Sequence, residues 1–175
     1  VAAKHYLSYF QGSLSDWESH DQTAMRDVVP ENRKRIYDAR EAVTLLSDID
    51  AVLELRPLFG RSIVTALARI EGRPVGIIAN DPGHLGGAID SDSADKASRF
   101  MQLCDAHGLP LISLCDTPGF MVGPEAEKTA QVRHFGRMFV TGASLAVPLV
   151  SVILRKAVGL GAMAMAGGSF HRNLL

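Results

Sequence analysis

Residues 147–170 read VPLVSVILRKAVGLGAMAMAGGSF. The run from Val147 to Leu154 is nearly all apolar and rich in β-branched side chains. That composition predicts a strand buried on both faces, because a half-buried strand would alternate with polar residues. Gly159, Gly161, Gly167 and Gly168 follow among small and flexible side chains. Residues 161–166 predict the first turns of a buried helix. A strand that turns through glycine into a helix leaves backbone N–H groups unpaired at the helix's positive end. Such a place can hold an oxyanion. The same glycines also fit a plainer purpose, tight turning and close packing, and the pattern alone leaves both readings open.

The same design occurs one step upstream. Leu111 to Cys115 predicts another buried strand, ending in Asp116-Thr117-Pro118-Gly119-Phe120 and then Met121-Val122-Gly123. Pro124 suits the first turn of the next helix, with Glu125 and Glu127 at its positive end. Val132, Phe135 and Phe139 mark that helix's buried side, and Gly142 its stop. Further upstream, Ala94, Ala97, Phe100, Met101 and Cys104 recur at helical spacing. Asp92 or Ser91 is expected to cap this helix and Gly108 to stop it. His107 then sits where the helix dipole favours it and reads as a cap residue, not a ligand.

Earlier still, Ile63–Ile70 and Pro74–Ala79 flank Glu71-Gly72, which predicts an antiparallel hairpin. Asp38 is expected to cap a helix carrying Ala39, Ala42, Val43 and Leu46 on one side. Residues 1–11 read as the end of a helix, and Gly12 to Arg35 as a polar linker. Its basic cluster, Arg33, Lys34 and Arg35, fits a solvated face or a contact with phosphates. From Ile63 onward the order is strand, strand, helix, strand, helix, strand, helix, a layered α/β pattern.

Composition narrows the function classes. The 175 residues suffice for one domain with a real core. A formal net charge of -1 indicates no general attraction to nucleic acid or to an anionic membrane surface. No apolar run reaches the length of a membrane span. Cys104 and Cys115 lack metal-ligand spacing and read as buried free thiols, in keeping with a reducing compartment. His5, His20, His84, His107, His134 and His171 are scattered, so no metal site is expected. The sequence begins at Val1 rather than Met, which reads as a processed chain or an excerpt.

Asp116-Thr117-Pro118-Gly119 has the Asp-x-x-Gly form of nucleotide hydrolases, but that chemistry needs a phosphate loop. Aligned on Lys128-Thr129, the nearest candidate has Glu127 where the second glycine belongs. No G-x-S-x-G nucleophile elbow occurs. Asp90, Asp92 and Asp95 lie near a helix start, where carboxylates cap. Arg155-Lys156 reads as a solvated strand end or as electrostatic support for an anionic substrate. What remains is a pair of strand exits, residues 115–123 and 156–162. N–H groups converging from two such exits polarise a carbonyl or hold an enolate-type oxyanion, with no side-chain acid, base or nucleophile required.

Three stretches carry a family resemblance: LELRPLFGRSIVTALARIEGRPVGIIAN, LGGAIDSDSADKASRFMQLCDAHGLPLISLCDTPGFMVGPEAEKTAQVRHFGRMF and VPLVSVILRKAVGLGAMAMAGGSF. In one order and without large gaps, about Tyr37 to Phe170 resembles the C-terminal carboxyltransferase domain of acyl-CoA carboxylase β subunits. Propionyl-CoA, acetyl-CoA and methylcrotonyl-CoA carboxylases are of this type. The resemblance implies an α/β crotonase-like fold, a spiral of ββα units with helices outside. It implies that residues 1–36 are the tail of a preceding N-terminal domain and its linker. Residues 37–175 are then a truncated C-terminal domain, expected to be inactive alone.

The function implied is transfer of a carboxyl group from carboxybiotin to the α-carbon of an acyl-CoA. Biotin would arrive on a carrier subunit or domain and acyl-CoA as substrate, with no metal in this chain. By resemblance the oxyanion donors fall at Gly161 and Ala162, with Gly119 and Phe120 as the partner pair. Gly159, Met163, Ala164 and Pro118 would line the substrate and biotin site. Propionyl-type members read roughly Gly-Gly-Ala-Tyr-Asp after the last strand, whereas this chain has Leu160-Gly161-Ala162-Met163-Ala164. Ala164 therefore replaces an aspartate that influences acyl choice, which implies a more apolar acyl pocket. The partners implied are a biotin carboxyl carrier, a biotin carboxylase subunit and further copies of the chain, as dimers assembled into hexamers. The compartment implied is the bacterial cytoplasm, or else the mitochondrial matrix. Two other readings compete: a stand-alone crotonase-type hydratase or decarboxylase of CoA thioesters, and a non-catalytic assembly fragment.

Overall fold

The computed structural model describes residues 2–32 and 34–169. Arg33 of the basic cluster, Phe170 and His171 lie outside the described residues. In chain order the elements are α1 (Ala2–Ser8), α2 (Met25–Val28), α3 (Ala39–Leu46), β1 (Leu53–Glu54), β2 (Ile63–Ile70) and β3 (Arg73–Asn80). Then follow α4 (Ser91–Ala106), β4 (Leu111–Thr117), α5 (Pro124–Glu127), α6 (Gln131–Ser144), β5 (Leu149–Ala157) and α7 (Gly159–Met165).

The β2–β3 hairpin is the middle of the sheet, and its turn is specified locally. Glu71 and Gly72 both adopt positive φ, 51° and 74°, as a two-residue type I′ turn requires. The buried Asp48 carboxylate accepts both of their N–H groups, at 2.9 and 2.8 Å. The resulting register runs from Ile70 opposite Arg73 to Ile63 opposite Asn80. The five strands lie in the order β1-β2-β3-β4-β5. β1 pairs antiparallel to β2, whereas β4 and β5 add parallel to β3. Parallel neighbours need crossovers; α4 supplies the first, α5 and α6 the second.

Both faces of β2 and β3 are covered. On one side Ile63, Leu67 and Ile78 pack with Met101 of α4, Met138 of α6 and Met165 of α7. On the other, Val64, Ala66, Ile77 and Ala79 meet Ala39, Ala42 and Val43 of α3. Asp38 caps α3, its carboxylate accepting from the Arg40 N–H at 2.9 Å, as expected. The N-terminal stretch is tied to the same body. Tyr9 is fully buried and donates to the Ala51 carbonyl, while the Arg69 guanidinium binds the Ser8 and Gly12 carbonyls.

Several expectations need correction. The α4 cap is Asp90, one residue earlier than expected, accepting from the Ser93 N–H at 2.9 Å. Asp95 is no cap: it pairs with Arg137 and His134 of α6. The single helix expected after Pro124 is two, because Ala130 turns left-handed at φ 52° between α5 and α6. Gly142 does not stop α6, which continues to Ser144. Its missing side chain instead admits the Gly167 backbone, 2.8 Å from where a Cβ would stand. Of the stretch in which Leu53, Leu55 and Leu58 alternate with polar positions, only Leu53–Glu54 pairs into the sheet, as β1.

The deciding stretch itself departs most. β5 forms and passes into α7, as predicted, but it is not buried on both faces. Val150, Val152 and Ile153 are 41%, 42% and 65% exposed. The reason is its position: β5 is the edge of the sheet, with a strand on its β4 side alone among the described residues, and neither of its faces is fully covered.

Candidate functional site

The two glycine-bearing strand exits meet. β4 leaves the sheet at Thr117, whose carbonyl accepts the Val158 N–H at 3.2 Å. Pro118 then bends the chain, and the Thr117 hydroxyl both accepts from the Gly119 N–H and donates to the Gly119 carbonyl, each at 3.1 Å. Gly119 sits at φ 127°, a conformation that strongly favours glycine. The segment is pinned from the far side by Ile89, whose N–H donates to the Gly119 carbonyl at 3.0 Å and whose carbonyl accepts from Met121 at 2.8 Å. Phe120 stacks its ring on Phe135 of α6, with centroids 3.7 Å apart.

β5 turns through Val158 and Gly159, the latter at φ 59°, directly into α7. A Cβ on Gly161 would stand 2.8 Å from the Gly119 backbone and 3.1 Å from the Phe120 nitrogen. The two exits therefore touch backbone to backbone, and only glycine at position 161 permits it. The Phe120 and Gly161 N–H groups have no hydrogen-bond partner among the described residues. The Ala162 N–H closes the first helical turn onto the Val158 carbonyl, but at 3.4 Å, beyond the usual range for such a bond.

The sequence-predicted residues thus divide. Gly119, Phe120 and Gly161 are in contact, and Pro118, Gly159 and Ala162 frame them along the same backbone. Met163 is 43% exposed beside Leu160 at 62%, on the open side of α7. Ala164 is fully buried and belongs to the main core, so it does not face the open side.

Beneath the exits lies a cluster that the sequence reading missed. Asp116 is fully buried; its Oδ2 accepts from the Tyr37 hydroxyl at 2.9 Å and from Arg155 Nε at 3.1 Å. Lys156 Nζ lies 3.8 Å from its Oδ1 and donates to the Gly86 carbonyl at 2.9 Å. The Asp116 N–H donates to the Asn80 side chain at 3.0 Å. Arg155 is not at a solvated strand end: its side chain is 7% exposed, lies over the Tyr37 ring and donates to the Arg35 carbonyl at 2.8 Å. Burial and the hydrogen bond to Asp116 both push the Tyr37 hydroxyl pKa upward. The nearby Cys115 thiol is pushed up to about 11, chiefly by burial, so it is no nucleophile. Asp116 stood in the sequence only as part of an Asp-x-x-Gly run set aside for lack of a phosphate loop, and its partners Tyr37 and Arg155 are too distant in sequence to show.

Comparison with known proteins gives the family. Residues 4–175 match the carboxyl transferase domain family. An uncharacterized carboxylase of Bacillus subtilis, YngE, is 42% identical over 174 residues, covering 95% of this chain and 34% of the relative. A biotin-dependent long chain acyl-coenzyme A carboxylase beta4 subunit of Mycobacterium tuberculosis is 39% identical, covering 80% of this chain and 27% of the relative. Among solved structures, a single-chain, multi-domain long-chain acyl-CoA carboxylase superposes with a TM-score of 0.94 at 63% identity. That match covers 96% of this chain and 17% of the neighbour. The chain spans about a third or less of the length of the relatives it matches. The sheet, with its ββα unit and two further parallel strands, is the crotonase-like architecture of those carboxyltransferases. The chain belongs to the carboxyl transferase domain family.

Proposed function

We propose that this chain is the C-terminal carboxyltransferase domain of a biotin-dependent acyl-CoA carboxylase, with residues 1–36 as the tail of a preceding domain. The whole protein would move a carboxyl group from carboxybiotin to the α-carbon of an acyl-CoA. The observation that carries the reading is the contact of Gly161 with Gly119 and Phe120, which gathers unpaired N–H groups from two strand exits. A preorganised pair of this kind is worth most where negative charge grows in a site shielded from water.

Carboxybiotin, when bound, supplies the carboxyl group and, at its ureido N1, an acceptor for the α-proton. The Phe120 and Gly161 N–H groups would hold the ureido oxygen of bound carboxybiotin. The Ala162 N–H, whose helical bond is long, would be a third donor there. Gly119 contributes the close approach. Gly159 and Pro118 fix the two backbone bends. Met163 contacts the acyl chain on the open side of α7. Ala164 acts on acyl choice through the packing of α7, because its methyl group lies in the core. A long acyl chain is the substrate class that this apolar surface and the two long-chain relatives support.

The exposed outer face of β5 and α7 supports assembly with further copies, as dimers or hexamers, beside a biotin carrier and a biotin carboxylase unit. A hydratase reading would need a side-chain acid or base at the exits. Glu125 is exposed and paired with Lys128, and Glu127 belongs to the one-turn α5.

The test is carboxyl transfer by the intact parent protein with its biotin carrier, across short and long acyl-CoA substrates. Gly161→Ala and Gly161→Val are compared with wild type for folding and rate. Loss of transfer by about 100-fold in a folded variant is expected. Hydration or decarboxylation of a CoA thioester without transfer would overturn the function while leaving the fold.

A further inference from the structure

Asp116 ties together four separated parts of the chain immediately below the paired exits. Its side chain binds Tyr37, ahead of α3, and Arg155 near the end of β5. Its N–H binds Asn80 at the end of β3. Its carbonyl oxygen is 2.3 Å from where a Cβ on Gly87 would stand, so the 81–90 loop also rests on it. Asp116 is followed directly by Thr117, whose carbonyl and hydroxyl fix Val158 and Gly119. Two residues beyond Lys156, Val158 begins the other exit.

The electrostatics are those of a clamp. Asp116 is completely buried, and its charged partner Arg155 has a side chain only 7% exposed. An ion pair this dry gives little net stability against an apolar replacement, and its better-attested use is to specify one arrangement. We infer that Asp116 is a positioning residue for carboxyl transfer: through Arg155 and Tyr37 it sets the spacing between the β4 and β5 exits. The inference rests on the proposed function and adds a residue to it. Asp116 does not touch substrate; it acts through Gly119, Phe120 and Gly161. Being fully buried, Asp116 makes no contact with acyl-CoA, so acyl-CoA binding is expected to change little.

The test uses the intact parent protein with its biotin carrier and three variants: Asp116→Asn, Arg155→Met, and both together. Asp116→Asn removes the negative charge that Arg155 and the Tyr37 hydroxyl bind. Lowered thermal stability and a fall in kcat of about 100-fold are expected, since small displacements of a reacting group cost that much. KM for acyl-CoA is expected to stay within about twofold. The double variant removes both buried charges, and Lys156, whose side chain is 33% exposed, can turn to solvent. Its melting temperature is therefore expected to recover while kcat stays low, because nothing then spaces the exits. A purely structural role predicts that stability and kcat recover together, and that result would overturn the assignment. So would Asp116→Asn retaining kcat within about threefold of wild type. Wild-type protein that transfers no carboxyl group to any acyl-CoA would overturn the function reading itself, and the assignment with it.

Discussion

β3 and β5 carry similar sequences and meet opposite surroundings. Ile77 and Ile78 in β3 are fully buried, one against α3 and the other against the α4 side. Val152 and Ile153 in β5 stand 42% and 65% exposed at the sheet edge. A continuous apolar run therefore reports that a strand is meant to be covered, not what covers it. For β3 the cover is α3 and α4, both encoded nearby. For β5 the described residues cover only part of each face, burying Leu149 on the α4 side and partly burying Leu154 on the α3 side. The contrast separates a half of the molecule that is internally complete from a half whose apolar surface faces outward.

Mutations can sharpen or break that contrast. The largest stability effect is expected from Ile78→Ala, about 3 kcal/mol in urea unfolding, because a buried methyl cluster is replaced by a cavity. A loss below about 1 kcal/mol would mean that the hairpin half is not tightly packed. Next is Gly142→Ala, where the new methyl would stand 2.8 Å from the Gly167 backbone. About 2 kcal/mol of destabilisation is expected if the crossing of α6 with the Gly167 backbone cannot relax. Unchanged stability would show that the open half yields.

A third effect is smaller and depends on pH. Lys96 of α4 is 1% exposed, and burial lowers its pKa to about 8. Its Nζ donates to the Ile63 carbonyl at 2.7 Å. Between that value and the normal lysine range, the unfolded chain binds more protons than the folded one, so stability rises with pH. Relative to Lys96→Met, wild type should gain about 1 kcal/mol from pH 8 to pH 9. Urea midpoints for both proteins at the two pH values measure this, and contributions from Cys104 and Cys115 cancel in the difference. A flat difference would mean that water reaches Lys96. Smallest is Ile153→Ser, for which the change in the unfolding free energy of the chain should stay within about 0.5 kcal/mol. A large loss there would show that the β5 edge is covered after all.

Much of the fold was legible because its signals are local. The hairpin was announced by Glu71-Gly72, and α4 by its periodic face and Gly108. The two exits were legible as glycines following apolar runs. What stayed hidden depended on residues far apart in sequence. Asp116 gains its meaning only from Tyr37 and Arg155, 79 and 39 positions away. Arg155 looks solvated in an apolar-to-basic transition and is buried because Tyr37 and Asp116 close over it. Gly142 looks like a helix stop because nothing nearby in sequence reveals that Gly167 crosses it. Burial of β5 was overestimated because hydropathy records affinity for cover and not its source.

The contact between Gly161 and Gly119 is made of main chain on main chain. Its dimensions are consequently independent of the side chains that surround it. Leu160 and Met163, on the exposed side of α7, can therefore be exchanged without resetting the distance between the two loops, whereas the buried Ala164 cannot.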